Sequence, residues 1–411
     1  MGILNLNNDI LLLLADVLPN GDCARLARTC RRLRTSLSDE LGHSADLNSS
    51  NRLKGLLEYV LFNDRRPSRV RWLLIQDSRF EGPGPFAKPL SELLHHTKNV
   101  RYLDIRIDLE MAVIVYPPLL DTINTLPRLT YFDTWRFGPK VLKGLLNMRS
   151  RLRTLKLRQA YPEAMDGIMP VTGGMEALKS LHLVDCSSED DDIMIGSKGV
   201  WPTVRSLQVW RTDVCLEYLI EYFPNVHKFT MRGMGLQFIP FHRDPTKTDF
   251  WSRLDHFIPA WEDMQTFGFS VRMPPTRQLT FLNTFDEECA VHDLDLLCKI
   301  LGETQPFVLS FPVIAGHLEH DVLPPRELKP KAAWKNLRCL TVTLLEESEI
   351  EAIYGWIVRT TTSCLSPSDC IHLIRNTCNI ALAIFLSCHS VLASIAHTGY
   401  PCRISRPTST H

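Results

Sequence analysis

The sequence lacks an excess of charge of either sign: 46 Lys and Arg stand against 46 Asp and Glu over 411 residues. A nucleic-acid binder needs a clustered surplus of Lys and Arg, and so does a polybasic membrane-surface protein, so the balance argues against both partners. It also lacks a secretory start. Met1 to Leu6 carries no basic residue, and the apolar run Ile10 to Leu14 is bracketed by Asp9 and Asp16. Leu6 stands where a myristoylation signal needs Ser or Thr. Twelve cysteines without such a signal read as reduced thiols, which leads to the expectation of a cytoplasmic or nuclear protein.

Catalytic motifs are missing as well. There is no G-x-x-x-x-G-K-[ST], no G-x-G-x-x-G, no H-E-x-x-H and no paired C-x-x-C. Gly82-Pro83-Gly84 is a turn whose proline removes an amide that a phosphate would use. Gly196-Ser197-Lys198-Gly199 lacks the spacing of a nucleophile elbow. His317-Leu318-Glu319-His320-Asp321 is the best metal-like cluster, and it reads as a polar loop. The acidic run Glu189 to Asp192 reads as an exposed loop. The expectation is a protein with no catalytic residue, no metal and no cofactor.

What is present is a period. Apolar residues recur with the spacing i, i+3, i+5 at Val70-Leu73-Ile75, Val100-Leu103-Ile105, Leu129-Phe132-Thr134 (Thr standing in), Leu152-Leu155-Leu157, Leu178-Leu181-Leu183, Val204-Leu207-Val209 and Val226-Phe229-Met231. Further copies read at Met264-Phe267-Phe269 and Leu337-Leu340-Val342, with Val308-Phe311-Val313 a candidate between them. In a strand the second and third positions of each copy point to one face and their neighbours to the other. Between copies lie stretches with helical spacing: Pro139 to Met148, Asp213 to Phe223, His292 to Leu301 and Glu347 to Val358. Prolines at 127, 202 and 224 stop a helix and favour extended chain before the next copy.

This pattern resembles the leucine-rich repeat over residues 67–360. The resemblance implies an α/β solenoid, with parallel strands on the concave side and helices on the convex side. An ordinary doubly wound α/β domain is the alternative, although it needs no recurrent motif. In the repeat register, the strand residues that point away from the core form the binding face. One column, just after the third apolar position, holds Arg106, Trp135, Arg158, Trp210 and Arg232. Another, before the second, holds Trp72, Tyr102 and Tyr131. Trp, Tyr and Arg are enriched at interface hot spots, so these eight are the candidate protein-substrate contacts. A third column, Arg71, Arg101, Arg153, Lys179, Arg205 and Arg338, is expected to pair with carboxylates of neighbouring turns.

Residues 1–40 fall outside the period. Leu6, Asp9, Ile10, Leu14, Leu18, Leu26, Cys30, Leu33 and Leu37 space as three short helices with more apolar surface than so small a unit can bury alone. Leu6-x-x-Asp9-Ile10-Leu11, followed by Leu14, Leu18, Asp22, Leu26 and Cys30-Arg31-Arg32-Leu33, resembles an F-box. The departures are Asn7 for the usual proline and Cys23 for the usual leucine. That resemblance implies docking of a Skp-type adaptor of a cullin-RING ubiquitin ligase through Leu6, Asp9, Ile10, Leu14, Leu18, Leu26, Cys30 and Leu33. It also implies that the repeats hold an unidentified protein substrate. A helical cap on the array is the alternative. Arginines 25, 28, 31, 32 and 34 read as a solvated face rather than a DNA-contacting one.

Residues 41–66 read as a helical linker. Residues 361–411 hold five of the twelve cysteines and only four charged residues. Ile380 to Ala396 is too short for a membrane helix. It reads as a docked helix capping the last repeat, ahead of an atypical tail from a misread exon or a membrane anchor.

Overall fold

The computed structural model describes residues 44–62, 67–77, 82–161, 175–186, 200–212, 216–233, 251–267, 273–282, 290–313, 339–344, 370–376 and 379–385, with positions 25, 26, 29, 30, 33 and 336 besides. The chain divides into two compact units, Met1–Leu254 and Asp255–His411.

In the first unit, strands β1 (Ser44–Leu47), β2 (Trp72–Gln76), β3 (Tyr102–Asp108), β4 (Tyr131–Phe137), β5 (Thr154–Ala160), β6 (Ser180–Val184), β7 (Ser206–Trp210) and β8 (Lys228–Arg232) pair in chain order, every pair parallel. The register carries the apolar period across the sheet. Leu73, Leu103, Phe132, Leu155, Leu181, Leu207 and Phe229 are successive partners, and all are buried. Two residues on, Ile75, Ile105, Thr134, Leu157, Leu183, Val209 and Met231 form a second buried row. Each such aliphatic or aromatic side chain gains about 1.5–3 kcal/mol by leaving water, and parallel pairing repeats the gain at every unit. In all seven copies from Val70 to Met231 the second and third positions thus lie on strands.

The helices form where the intervening stretches can cover that buried face. They are α1 (Ser50–Leu61), α2 (Gly84–His96), α3 (Leu109–Val115), α4 (Pro118–Asn124), α5 (Pro139–Leu145) and α6 (Leu216–Tyr222). Ser49 caps α1 by accepting from Arg52 N at 3.4 Å, and Asp108 caps α3 by accepting from Met111 N at 2.9 Å. Proline opens α4 and α5, where its missing N–H costs nothing. Glu110 fastens two repeats together. Its buried carboxylate accepts from Gly138 N (2.9 Å), Lys140 N (3.0 Å) and Val141 N (3.0 Å), the orphan amides at the start of α5.

The strands end alike. Arg136, Gln159, Asp185, Arg211 and Gly233 follow the partnered positions Trp135, Arg158, Val184, Trp210 and Arg232, and all five have positive φ, from 43° to 55°. Four of the five are not glycine, so those four positions are held left-handed against a steric cost.

The second unit holds β9 (Leu254–Pro259), α7 (Trp261–Phe267), β10 (Thr276–Thr280), α8 (Ala290–Thr304), β11 (Val308–Val313) and β12 (Cys339–Leu344). Strands β10, β11 and β12 are parallel, and Leu340 and Val342 lie on β12 as expected; their partners on β11 are Leu309 and Phe311, so the copy read at Val308-Phe311-Val313 is a strand two residues out of register. The copy read at Met264-Phe267-Phe269 is a correction: Met264 and Phe267 lie on α7. An i, i+3 apolar pair is also the spacing of a helix face, and the strand of that unit is β9, with Leu254 and Phe257 buried.

Two further expectations change. The linker 41–66 contains a strand, β1, before its helix. The docked helix expected from Ile380 is strand where it is described. β13 (Cys370–Asn376) and β14 (Asn379–Phe385) form an antiparallel pair, and β14 joins β12 antiparallel. An unpaired edge of β12 rewards a strand with backbone bonds that a docked helix does not supply. Glu347 to Val358 lies outside the described residues. Among the described residues, no helix is long and apolar enough to cross a membrane.

Candidate interaction surface

On β2 to β8 the residues between and around the buried rows face away from the helices, in three columns. The first is Trp72, Tyr102, Tyr131, Thr154, Ser180, Ser206 and Lys228. Because parallel strands put equal positions side by side, its aromatics meet. Trp72 stacks on Tyr102 at 3.7 Å between ring centroids, and Tyr102 on Tyr131 at 3.8 Å. Lys156 Nζ lies over the far side of Tyr131, 5.4 Å from its centroid. Trp72 keeps 48% of its surface exposed at the open end of the row.

The middle column was not singled out by sequence, and it carries the charge. It runs Leu74, Asp104, Asp133, Lys156, His182, Gln208 and Thr230. Asp104 and Asp133 are 2% and 1% exposed. Asp133 accepts from Arg158 Nε and Nη2, each at 2.8 Å, and from the Tyr131 hydroxyl at 3.1 Å. Asp104 accepts from Arg106 Nε at 3.2 Å and Nη2 at 3.0 Å. These bonds hold the Arg106 and Arg158 guanidinium pKa values above their ordinary value. Burial raises the Asp104 carboxyl above its ordinary value, with Arg106 opposing it. Burial also raises both tyrosine hydroxyls and lowers Lys156.

His182 is a different case. Burial, and then the Lys156 charge, push its pKa down to about 3. Ser180 Oγ lies 3.0 Å from His182 Nε2. A serine beside a histidine is the start of nucleophile chemistry, yet so weak a base is a poor proton acceptor at neutrality, and its further partner is Gln208 rather than a carboxylate. Cys186 is fully buried, and burial pushes its thiol up to about 12, which leaves it unreactive. Among the described residues, no group of three or more His, Cys, Asp or Glu is placed to hold a metal ion.

The eight candidate contacts therefore fall into two patches. Trp72, Tyr102, Tyr131, Arg106 and Arg158 are drawn together around the two buried carboxylates. Trp135 is exposed beside them and, among the described residues, stacks on no ring. Trp210 and Arg232 form the second patch, with the guanidinium carbon 5.9 Å from the indole centroid and Trp210 Nε1 buried without an acceptor. One strand, β6, separates the patches.

The basic column departs from expectation. Arg71, Arg101, Arg153, Lys179 and Arg205 are all exposed, and none pairs with a carboxylate among the described residues. The turns before the strands offer mostly prolines, Asn99 and Asn225, and the acid before β6, Glu176, makes no ion pair with the column. Arg338 lies outside the described residues. So do Leu6, Asp9, Ile10, Leu14 and Leu18 of the N-terminal pattern. Of the rest, Leu33 is buried, at 1% exposure, while Leu26 and Cys30 are half-buried. Leu33 N donates to Cys30 Sγ at 3.4 Å.

Parallel strands in one repeating register, with a helix or loop returning the chain each time, make this an α/β leucine-rich-repeat solenoid. Among solved structures, the leucine-rich repeat-containing protein LegL7 from Legionella pneumophila is similar at 14% identity and a TM-score of 0.38, covering 63% of this chain and 90% of that one. The fold assignment rests on the strand registers rather than on that likeness. Neither the protein-family models nor the curated proteins contain a match.

Proposed function

We propose that the protein is a non-enzymatic recognition subunit. The open face of β2 to β8 binds a protein substrate, and the N-terminal helices dock a Skp-type adaptor in a cullin-containing ubiquitin ligase, in the cytoplasm or nucleus. The observation that carries the first half is the stacked row Trp72–Tyr102–Tyr131, with Arg106, exposed Trp135 and Arg158 farther along β3, β4 and β5. Rigid aromatics and pre-oriented guanidinium groups lose little entropy when a partner orders on them. The adaptor half is supported by the F-box-like spacing from Leu6 to Leu37.

A second reading is favoured by the burial of Leu33. In it the N-terminal helices only cap the array, and the protein is an interaction scaffold with no ubiquitin role. Co-purification of the full chain with a recombinant Skp-type adaptor separates the two. Capture that is lost on deleting residues 1–40 supports the receptor; no capture, or capture that survives the deletion, leaves the scaffold.

A further inference from the structure

Elsewhere on β3 to β8 the arginines have a partner within the fold, an acid for most and the Trp210 ring for Arg232. Arg106 is held by Asp104, Arg158 by Asp133, and Arg211 by Asp185, whose carboxylate meets the guanidinium at 2.6 and 2.8 Å. The column one residue before each strand is the exception. Arg101 N donates to Arg71 O (2.8 Å), Thr130 N to Arg101 O (2.9 Å), Arg153 N to Thr130 O (2.8 Å), Lys179 N to Arg153 O (2.9 Å) and Arg205 N to Lys179 O (2.8 Å). These backbone bonds set the residues in single file, one per strand. Among the described residues the Arg205 guanidinium meets Asn225 O and His227 Nε2, neither of them anionic. Glu176, the acid in the turn before β6, makes no ion pair with the column.

We infer that Arg71, Arg101, Arg153, Lys179 and Arg205 hold an extended acidic segment of a partner protein. Six strand positions at about 4.8 Å span about 24 Å, which an extended peptide at about 3.3 Å per residue covers with about seven residues. Five like charges in file without internal acids repel one another and are relieved by a line of anions. The neighbouring column decides against single-stranded nucleic acid, the other polyanion with this reach. Such strands are held by bases stacking on open aromatic faces. Here the faces of Tyr102 are covered by Trp72 and Tyr131, and Tyr131 is covered on its other side by Lys156. Ring edges remain, and these suit the apolar side chains interspersed in a peptide. The inference deepens the reading of the open face as a protein-binding surface, and it is independent of adaptor docking by residues 1–40.

The test uses the full chain and fluorescein-labelled octaglutamate, with octaglutamine and octathymidylate as comparators, followed by anisotropy. Octaglutamate binds, octaglutamine does not, and the affinity falls steeply with salt. The double variant Arg101→Ser, Arg153→Ser weakens octaglutamate about fivefold or more. The charge-retaining pair Arg101→Lys, Arg153→Lys stays within about twofold, which separates lost charge from lost fold. The pair Lys140→Ser, Lys143→Ser, on exposed α5 positions, also leaves binding in place. Octaglutamine binding as tightly as octaglutamate would overturn the inference. So would equal loss in the α5 control, or octathymidylate displacing octaglutamate at a lower concentration than octaglutamate itself. Adaptor capture is unaffected by these variants, so the two proposals fail separately.

Discussion

Arg158 on β5 reaches across to Asp133 on β4 and donates to both carboxylate oxygens at 2.8 Å, 25 residues apart in sequence. That pair closes the open face over a carboxylate that would otherwise be buried alone. Asp133→Ala leaves the guanidinium and the Tyr131 hydroxyl without their shared acceptor, and is expected to cost about 1–3 kcal/mol in urea denaturation. Arg158→Lys keeps the charge but loses the two-pronged geometry, and recovers only part of the stability.

The join between α3 and α5 is steric as well as polar. A Cβ at Gly138 would sit 2.6 Å from Glu110 Cδ, displacing the carboxylate that caps α5. Gly138→Ala is expected to lower stability by about 1–3 kcal/mol, read as a fall in Tm. Gly144→Ala drives a methyl into Leu120 and is expected to do likewise, whereas Gly55→Ala on α1, where a Cβ meets nothing within 4 Å, leaves Tm unchanged or raises it.

The left-handed positions at the strand ends predict an unusual residue ranking. At Gln159 (φ 52°), substitution by glycine is tolerated, because the relieved strain offsets the added chain entropy. Gln159→Val costs about 1–2 kcal/mol, since a β-branched side chain is the least compatible with positive φ. Equal destabilisation by Gly and Val, measured by thermal unfolding, would contradict the turn assignment.

Acid should unfold the protein partly through His182. Its folded pKa, about 3, lies below the unfolded value of about 6.5, so the unfolded chain binds more protons in that window. The stability is fully present above about pH 6.5 and is lost as the pH falls from there toward 3. In His182→Gln the loss between pH 7 and pH 4.5, measured from urea midpoints, is smaller than in the parent. An unchanged loss would show that His182 is not held neutral by the fold.

Much of the buried architecture is legible in the residues themselves. Pairs such as Leu73 and Ile75 mark two inward positions of a strand, and their return every 22–30 residues marks the repeat. Met264 and Phe267 misled because three-residue spacing belongs to helices too. β1 escaped notice because it buries a single large side chain, Leu47. The outer face is harder to read. Trp72, Tyr102 and Tyr131 stack because of a register that no single repeat encodes. Asp104 and Asp133 stand between apolar positions and look like ordinary solvent-facing acids until their tyrosine and arginine neighbours cover them. The positive φ turns gave no glycine signal at Arg136, Gln159, Asp185 or Arg211.

The proposed division of labour puts the adaptor on the N-terminal helices and the substrate on the open sheet face. Hydrogen–deuterium exchange on the full chain, with and without a saturating recombinant Skp-type adaptor, tests it most directly. The account predicts new protection confined to residues 6–37, with the backbone of β2 to β8 exchanging as before. No protection in residues 6–37, or protection by the adaptor along β2 to β8, would contradict it.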